Sequence, residues 1–353
     1  MPVRLKDIAD DLNLSKMTIS RVLRGQTDVS AETKARVLQR VKELRYRPNA
    51  MARSLRTGQT STLGLIVPSL RETYFSELAR GVDQMVRSAG YGLAVCLTED
   101  DAELEQRQIE LLLARQVDAL LVVSVQETTT FFDGLAIGES VPLVFVNRKV
   151  PGSTRSFVGL SEERVGRTAA DHLISVGCRR LAYLRGPRTP AGDLRYNGFR
   201  EALHEAELPY HADLVIDGMG AEAAEYKRGF DGMLRLLSGR IRPDGLMAYT
   251  DMMAVGAMDA ALSRGIRIPE GIAFVGSGNE TRLCEMRIAL SSVDAAGDEV
   301  GRKAGRMALQ LISDNSKAGS RRILVSPKLV QRSSSLRQYG KVAPAKRPSG
   351  ISG

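Results

Sequence analysis

LSKMTISRVLRG, residues 14–25, presents two unlike surfaces within twelve positions. Ile19, Val22 and Leu23 recur at helical spacing and form an apolar side. Lys16, Met17, Ser20, Arg21 and Arg24 occupy the other side. Ser15 stands just before the pattern, where its hydroxyl serves free N–H groups. An earlier stripe, Leu5, Ile8, Ala9 and Leu12, has the i, i+3, i+4, i+7 spacing of a helix, and only Asn13 and Leu14 separate the two. Two helices so close predict a helix-turn-helix. Ser30 is placed to cap a third helix, with Val37, Leu38, Val41 and Leu44 as its buried side.

Charge distribution sets this segment apart. The chain has 353 residues and a net charge of +9. Residues 1–60 hold 13 Lys and Arg against 6 Asp and Glu, whereas the remainder holds 37 against 35. A basic N-terminal piece on a nearly balanced body points to a polyanionic partner, nucleic acid or an anionic membrane. Cys96, Cys178 and Cys284 are scattered and form neither a disulfide framework nor a CxxC zinc pattern, which predicts a reducing cytoplasm. The opening MPVRLKDIADDLNL has acidic residues where a signal peptide needs an apolar run. No apolar run approaches the roughly 20 residues of a spanning helix.

Three readings compete for the basic helix. It is a solvated face of any three-helix unit, a membrane-surface helix, or a DNA reader. A membrane helix wants large exposed apolar residues, which this face lacks. Duplex DNA fits the residue types. Lys16 and Arg21 suit guanine O6 and N7, and Met17 suits a thymine methyl. Ser15, Thr18 and Ser20 suit phosphate oxygens, and Arg21 is the first choice for a base reader.

The segments DIA, S-x-x-T-I-S-R-V-L, VS-x-x-T-x-x-x-V and Y-x-PN-x-x-AR-x-L follow one another between residues 7 and 55. In order and spacing they resemble the DNA-binding domain of the LacI/GalR family of bacterial transcription regulators, and the resemblance continues to about residue 335. It departs at Leu12 and Asn13, where the family usually has Ala and Gly. Asn tolerates a left-handed turn better than most residues, so the turn is expected to survive.

YRPNAMARSLRTG (46–58) follows. Pro48 is expected to stop the third helix, and Asn49 to cap the short AMARSL segment. Six residues are too few for a stable helix in isolation, so a plain linker is the competing reading. The resemblance implies a hinge that becomes helical on cognate DNA when paired with its dimer mate. Tyr46, Asn49, Ala52, Arg53 and Leu55 are then DNA-binding residues. Leu55 matches the family's minor-groove wedge, Ala52 allows close approach, and Arg53 and Arg56 meet phosphate or groove. Unstacking a base step costs a few kcal/mol and bends the duplex. A pseudo-palindromic double-stranded operator and a paired hinge require a homodimer. Interface material is expected from the helix starting near Phe75.

From residue 62 onward short apolar runs alternate with helical patterns, as in LGLIVPS (63–69), GLAVCL (92–97), ALLVV (119–123), LVFVN (143–147), LAYLRGP (181–187), GLMAYT (245–250) and AFVGSG (273–278). Such alternation predicts parallel sheets covered on both faces, and the number of units implies two lobes. The fold expected is an N-terminal all-α helix-turn-helix domain plus an α/β two-lobed body like the periplasmic binding proteins. Its boundaries are residues 1–47 for the DNA-binding domain, 48–60 for the hinge, 61–335 for the body and 336–353 for a disordered tail. The chain is expected to cross between lobes more than once, with the helix near 298–313 in the first lobe and ILVSPKLV (323–330) ending in the second. The tail has no heptad repeat.

A small-molecule effector belongs between the lobes, beyond the carboxyl ends of the strands. By the resemblance its contacts are Tyr74 and Phe75 as a platform, Asn147, Arg195, Thr250 and Asn279. Arg195 matches the family's ligand-gripping arginine, and a guanidinium offers two parallel bonds. Gly278 stands where an aspartate is usual, Thr250 replaces Asn, and Asn147 replaces Asp. A cleft poorer in carboxylates favours a sugar acid or sugar phosphate over a neutral sugar. Competing functions are a DNA-independent sugar sensor and a sugar-processing enzyme. GSGNET lacks the third glycine of a dinucleotide fingerprint, and no Walker A signature occurs. His172, His204 and His211 make no metal spacing and suit the surface. Asp251 suits a helix cap better than a catalytic acid. No nucleophile–base–orienter set assembles. The expectation is a carbohydrate-responsive repressor without cofactor, metal or membrane.

Overall fold

The computed structural model describes residues 3–23, 29–46, 58–135, 141–186, 188–217, 224–280, 283, 286–314 and 319–337. They fall into two compact units, residues 1–62 and 63–353.

Three helices form the first unit: α1 (Leu5–Leu12), α2 (Lys16–Leu23) and α3 (Ala31–Glu43). The Arg4 N–H donates to the Asp7 carboxylate (2.8 Å) and fixes the start of α1. Asn13 closes that helix in the left-handed region at φ 51°, as its residue type allowed. Ser15 Oγ accepts the Thr18 N–H (3.0 Å), and Ser30 Oγ accepts the Thr33 N–H (3.2 Å), so both predicted caps form. Ile8, Ala9, Ile19, Val22 and Val37 make the core. Val41 and Leu44 pack against it, but Leu38 is exposed, contrary to the expected stripe. Arg40 binds both Asp11 and Glu43 and ties α1 to α3. α3 ends before Pro48 is reached, because Arg45 turns left-handed at φ 47°.

The second unit holds two six-stranded sheets. The first lobe runs β1 (Thr62–Val67), α4 (Thr73–Ser88), β2 (Gly92–Leu97), α5 (Ala102–Ala114), β3 (Ala119–Val122), α6 (Thr130–Gly134), β4 (Leu143–Val146) and β5 (Ser156–Leu160). The chain then crosses to the second lobe. There it forms α7 (Glu162–Ser175), β6 (Leu181–Leu184), α8 (Pro190–Glu205), a 3-10 turn (Ala212–Leu214), β7 (Val215–Ile216), α9 (Glu225–Ser238), β8 (Gly245–Ala248), α10 (Asp251–Ser263), β9 (Ala273–Ser277) and β10 (Ser291–Asp294). It returns through α11 (Gly297–Ser313) and β11 (Arg322–Val325) and crosses a third time into β12 (Lys328–Val330). Sheet orders are β11-β5-β4-β3-β1-β2 and β12-β10-β9-β8-β6-β7. β12 lies antiparallel on β10, while β1/β3, β3/β4, β8/β9 and β6/β8 are parallel. Parallel strands under helices on both faces need apolar side chains on both faces, hence the fully buried ALLV, LVFV and GLMA runs.

Helix pairs meet at glycines. A Cβ on Gly166 of α7 would overlap the Arg195 carbonyl of α8, and one on Gly198 of α8 would overlap the Glu163 carbonyl of α7. The same reciprocal contact joins α9 to α10 through Gly229 and Gly256, and α4 to α11 through Gly81 and Gly301. Backbone-to-backbone contact brings each pair closer than larger residues allow.

Several expectations change. His172 is buried, not superficial, and its Nε2 shares a 2.6 Å hydrogen bond with Ser335 Oγ; burial lowers its pKa. Arg337, within the expected tail, donates to the carbonyls of Pro269 (3.1 Å) and Asp244 (2.5 Å). Residues 338–353 of the expected tail lie outside the described residues. Cys96 and Cys178 are free thiols, and burial pushes Cys178 up to about 11. Among the described residues no helix is long and apolar enough to cross a membrane, and no His, Cys, Asp and Glu group could hold a metal.

Candidate functional site

The outer face of α2 is the first candidate. Ile19 and Val22 are sunk in the three-helix core, which leaves Lys16, Met17 and Arg21 outward. Met17 is 59% exposed, the most open of the large apolar side chains among the described residues. Thr18 and Ser15 join hydroxyls at 2.9 Å at the helix start, and Ser20 is half-buried. Tyr46 packs against the same core, and burial raises its phenol. Arg24, Asn49, Ala52, Arg53 and Leu55 lie outside the described residues.

The second candidate is the cleft between the lobes of the second unit. Tyr74, in the first turn of α4, packs against core clusters of both lobes. Its hydroxyl donates to Asn147 Oδ1 (3.0 Å). Asn147 follows β4 at φ 60°, which turns its side chain out of the strand's alternation. Beside it Arg148 pairs with Asp100 (2.5 Å).

Arg195 is the centre of the opposite wall. It is 7% exposed. Nε and one terminal nitrogen both donate to Glu162 Oε2, at 2.9 and 2.5 Å. The other terminal nitrogen donates to the Tyr249 carbonyl (2.7 Å) and Ser277 Oγ (3.4 Å). The guanidinium also lies over the Tyr249 ring, 4.3 Å from its centroid. Burial works against the charge, but Glu162 together with Tyr249 and Tyr183 outweighs it and the pKa rises. A planar cation fixed in this way presents a set geometry to a ligand. Near it Tyr183 keeps a fully buried hydroxyl that has no hydrogen-bond partner among the described residues.

Thr250 caps α10 by accepting the Met253 N–H (3.3 Å) and donates to Glu225 Oε2 (3.0 Å). Asp251, the expected cap, is instead buried behind it. Its carboxylate accepts from Ser292 Oγ (2.6 Å) and the Glu280 N–H (2.8 Å). Asn279 is equally engaged. Its amide donates to Asp294 Oδ2 (3.2 Å) and its oxygen accepts from Arg332 (2.6 Å). Both amide groups are therefore taken by other side chains. Phe75, expected as part of a platform, is instead buried in the first-lobe core at 2% exposure.

Carboxylates missing at Gly278 and Asn147 are supplied from elsewhere. Glu72 at the cleft mouth is raised by desolvation and by Glu225 of the other lobe, with Asp100 and Glu280 adding to it and Arg148 opposing it. Glu162, Glu225 and Glu72 were not found from the sequence. Each sits at a helix start, where an acid also suits the helix dipole and stands out from nothing.

Residues 4–49 match the model of the "Bacterial regulatory proteins, lacI family", and residues 170–335 match a "Periplasmic binding protein-like domain". The HTH-type transcriptional repressor PurR of Pasteurella multocida (strain Pm70) is 30% identical over 332 residues, covering 94% of this chain and 98% of that protein. The chain belongs to the LacI family. Its LacI-family relatives include the ribose operon repressor of Escherichia coli (strain K12), also 30% identical, covering 94% of this chain and 99% of that one. A structure of the lac repressor dimer bound to operator and the anti-inducer ONPF matches with a TM-score of 0.80 at 24% identity, over 96% of this chain and 100% of that chain. At that identity the likeness is one of fold. As a LacI-family member the chain is a DNA-binding transcriptional regulator with an effector-binding body, in a family of non-enzymatic proteins.

Asp251 is expected to make the stability of this LacI-family body depend on pH. Burial pushes it up to about 6, against the opposing pull of Ser292 and the Glu280 N–H. A carboxyl raised above its unfolded value of about 4 favours the fold below that value, and the benefit is lost as pH rises through about 6. Stability relative to Asp251→Asn should therefore fall by up to about 3 kcal/mol between about pH 4 and pH 7. Urea denaturation of both chains across that range checks it; a constant difference would show that Asp251 ionises as freely folded as unfolded.

Proposed function

We propose that this regulator is a cytoplasmic homodimeric repressor of carbohydrate-related genes. It reads a pseudo-palindromic operator with the start of α2, and a small hydroxylated effector binds between the lobes. The proposed boundaries are residues 1–47 for the DNA-binding domain, 48–60 for the hinge and 61–335 for the body. The observation that carries the reading is the outward set Lys16, Met17 and Arg21 on a helix whose other side is fully committed to a core. Cations reach guanine edges and phosphates, the thioether reaches a thymine methyl, and Ser15, Thr18 and Ser20 reach the backbone. Arg24, Tyr46, Asn49, Ala52, Arg53 and Leu55 complete the proposed DNA contacts.

The effector contacts proposed are Tyr74, Asn147, Arg195 and Thr250. The carboxylates of Glu72, Asp100, Glu162 and Glu225 around them support an uncharged polyol over the sugar acid suggested by the sequence. Hydroxyl pairs bridge a guanidinium and a carboxylate, whereas an anion meets repulsion from Glu72, which has no ion-pair partner among the described residues.

Selection of a preferred duplex by the full-length chain tests the DNA reading, and equal affinity for random sequence defeats it. On the selected site Arg21→Ala should lose about 1–3 kcal/mol and blur one base pair. Quantitative footprinting over single-base variants checks this; a uniform loss on all sequences reassigns Arg21 to phosphate.

A further inference from the structure

The first lobe has a second concavity, at the end of its sheet away from the cleft. Parallel β4 and β5 both begin there, and their far ends lead to Asn147 and the first crossing. A cavity of about 380 Å³ opens among Thr129, Asp133, Ser153, Arg155, Ser156 and Ser320. It lies within the size range of small-molecule sites.

Two hydroxyls in its wall are set as donors. Ser153 Oγ accepts the Arg155 N–H (3.2 Å), and Ser156 Oγ accepts the Arg321 N–H (3.2 Å). Each hydroxyl uses a lone pair on the backbone and keeps its own proton. Neither proton meets an acceptor among the described residues. Both serines are buried, at 7% and 5% exposure, so a donor left without an acceptor is costly. Arg155 stands between them in sequence and also lines the cavity, with one guanidinium nitrogen donating to the Phe132 carbonyl (3.1 Å). On the exposed rim Asp133 supplies an acceptor, with Ser320 beside the opening.

Two buried hydroxyl donors and a guanidinium select an anionic oxygen, and hydrogen bonds to charged acceptors are the strong ones. Asp133 repels a bare anion but accepts from ligand hydroxyls. We propose that this cavity binds the phosphate ester of a small sugar. The phosphoryl oxygens meet Ser153, Arg155 and Ser156, and the sugar hydroxyls meet Asp133. The site is separate from the cleft and stands whether or not the cleft binds a polyol.

Titration calorimetry of the full-length chain with glucose 6-phosphate, glucose and inorganic phosphate tests it. Glucose 6-phosphate should bind once per chain, at least about tenfold tighter than either part, a difference of about 1.4 kcal/mol. S153A/S156A should weaken it at least about tenfold. S320E, on the exposed rim, should also weaken it while leaving both serines in place, which separates loss of the site from loss of the fold. A cleft variant, R195M/E162Q, should leave the affinity unchanged. The proposal is overturned if glucose 6-phosphate does not bind, or if phosphate alone binds as tightly. It is equally overturned if R195M/E162Q abolishes binding while S153A/S156A preserves it.

Discussion

Arg195→Ala should abolish the response to effector and destabilise the body by about 3–5 kcal/mol, the cost of leaving one partner of a buried ion pair alone. Glu162 has 11% side-chain exposure, so removing Arg195 strands a carboxylate with little access to water. The Tyr249 carbonyl and ring lose their cation at the same time. Structure and response can be separated. Arg195→Met combined with Glu162→Gln removes both charges and should recover most of the stability, because apolar replacement of a whole buried pair is often neutral. It should not recover the response. Thermal unfolding reads the first quantity, and operator release in the presence of effector reads the second. If the double variant regains both, Arg195 acts through the fold alone.

Gly166→Ala is the second large effect expected. The added methyl collides with the Arg195 carbonyl, and a backbone oxygen in a helix cannot swing aside. Overpacking usually costs about 1–3 kcal/mol, and a backbone collision belongs at or above the top of that range. The displaced carbonyl is that of Arg195 itself, so effector affinity should fall with stability. Gly232→Ala is the natural comparison. Its methyl crowds the tip of the Leu184 side chain and makes ordinary contact with Ile216, meeting no backbone, and alanine favours a helix over glycine by about 1 kcal/mol. Equal losses at the two positions, measured by urea denaturation, would show that the α7–α8 approach is not set by glycine.

The strands read most easily are those whose burial is written in consecutive apolar residues, as in β1, β3, β4 and β8. β5 and β10 escaped because Ser156, Gly159, Ser291 and Ser292 interrupt any such run. Their burial rests on partners distant in sequence: Ser291 bonds the backbone of Arg332, and Ser292 bonds Asp251. The five-residue α6 is too short to show a period. In the cleft, Arg195 was legible from its resemblance to a family position. The occupation of Asn279 by Asp294 and Arg332 was not, since those residues lie 15 and 53 positions away.

That last triangle bears on how the lobes move. Asp294 immediately precedes the second crossing, where its Oδ1 also holds the Ala296 N–H (2.7 Å), and Arg332 follows the strand laid down after the third. With Asn279 stitched to both, two of the three connecting segments are laced together at the second-lobe end. Any relative motion of the lobes would then turn about that edge, and cleft walls far from the stitching would travel more than Asn279.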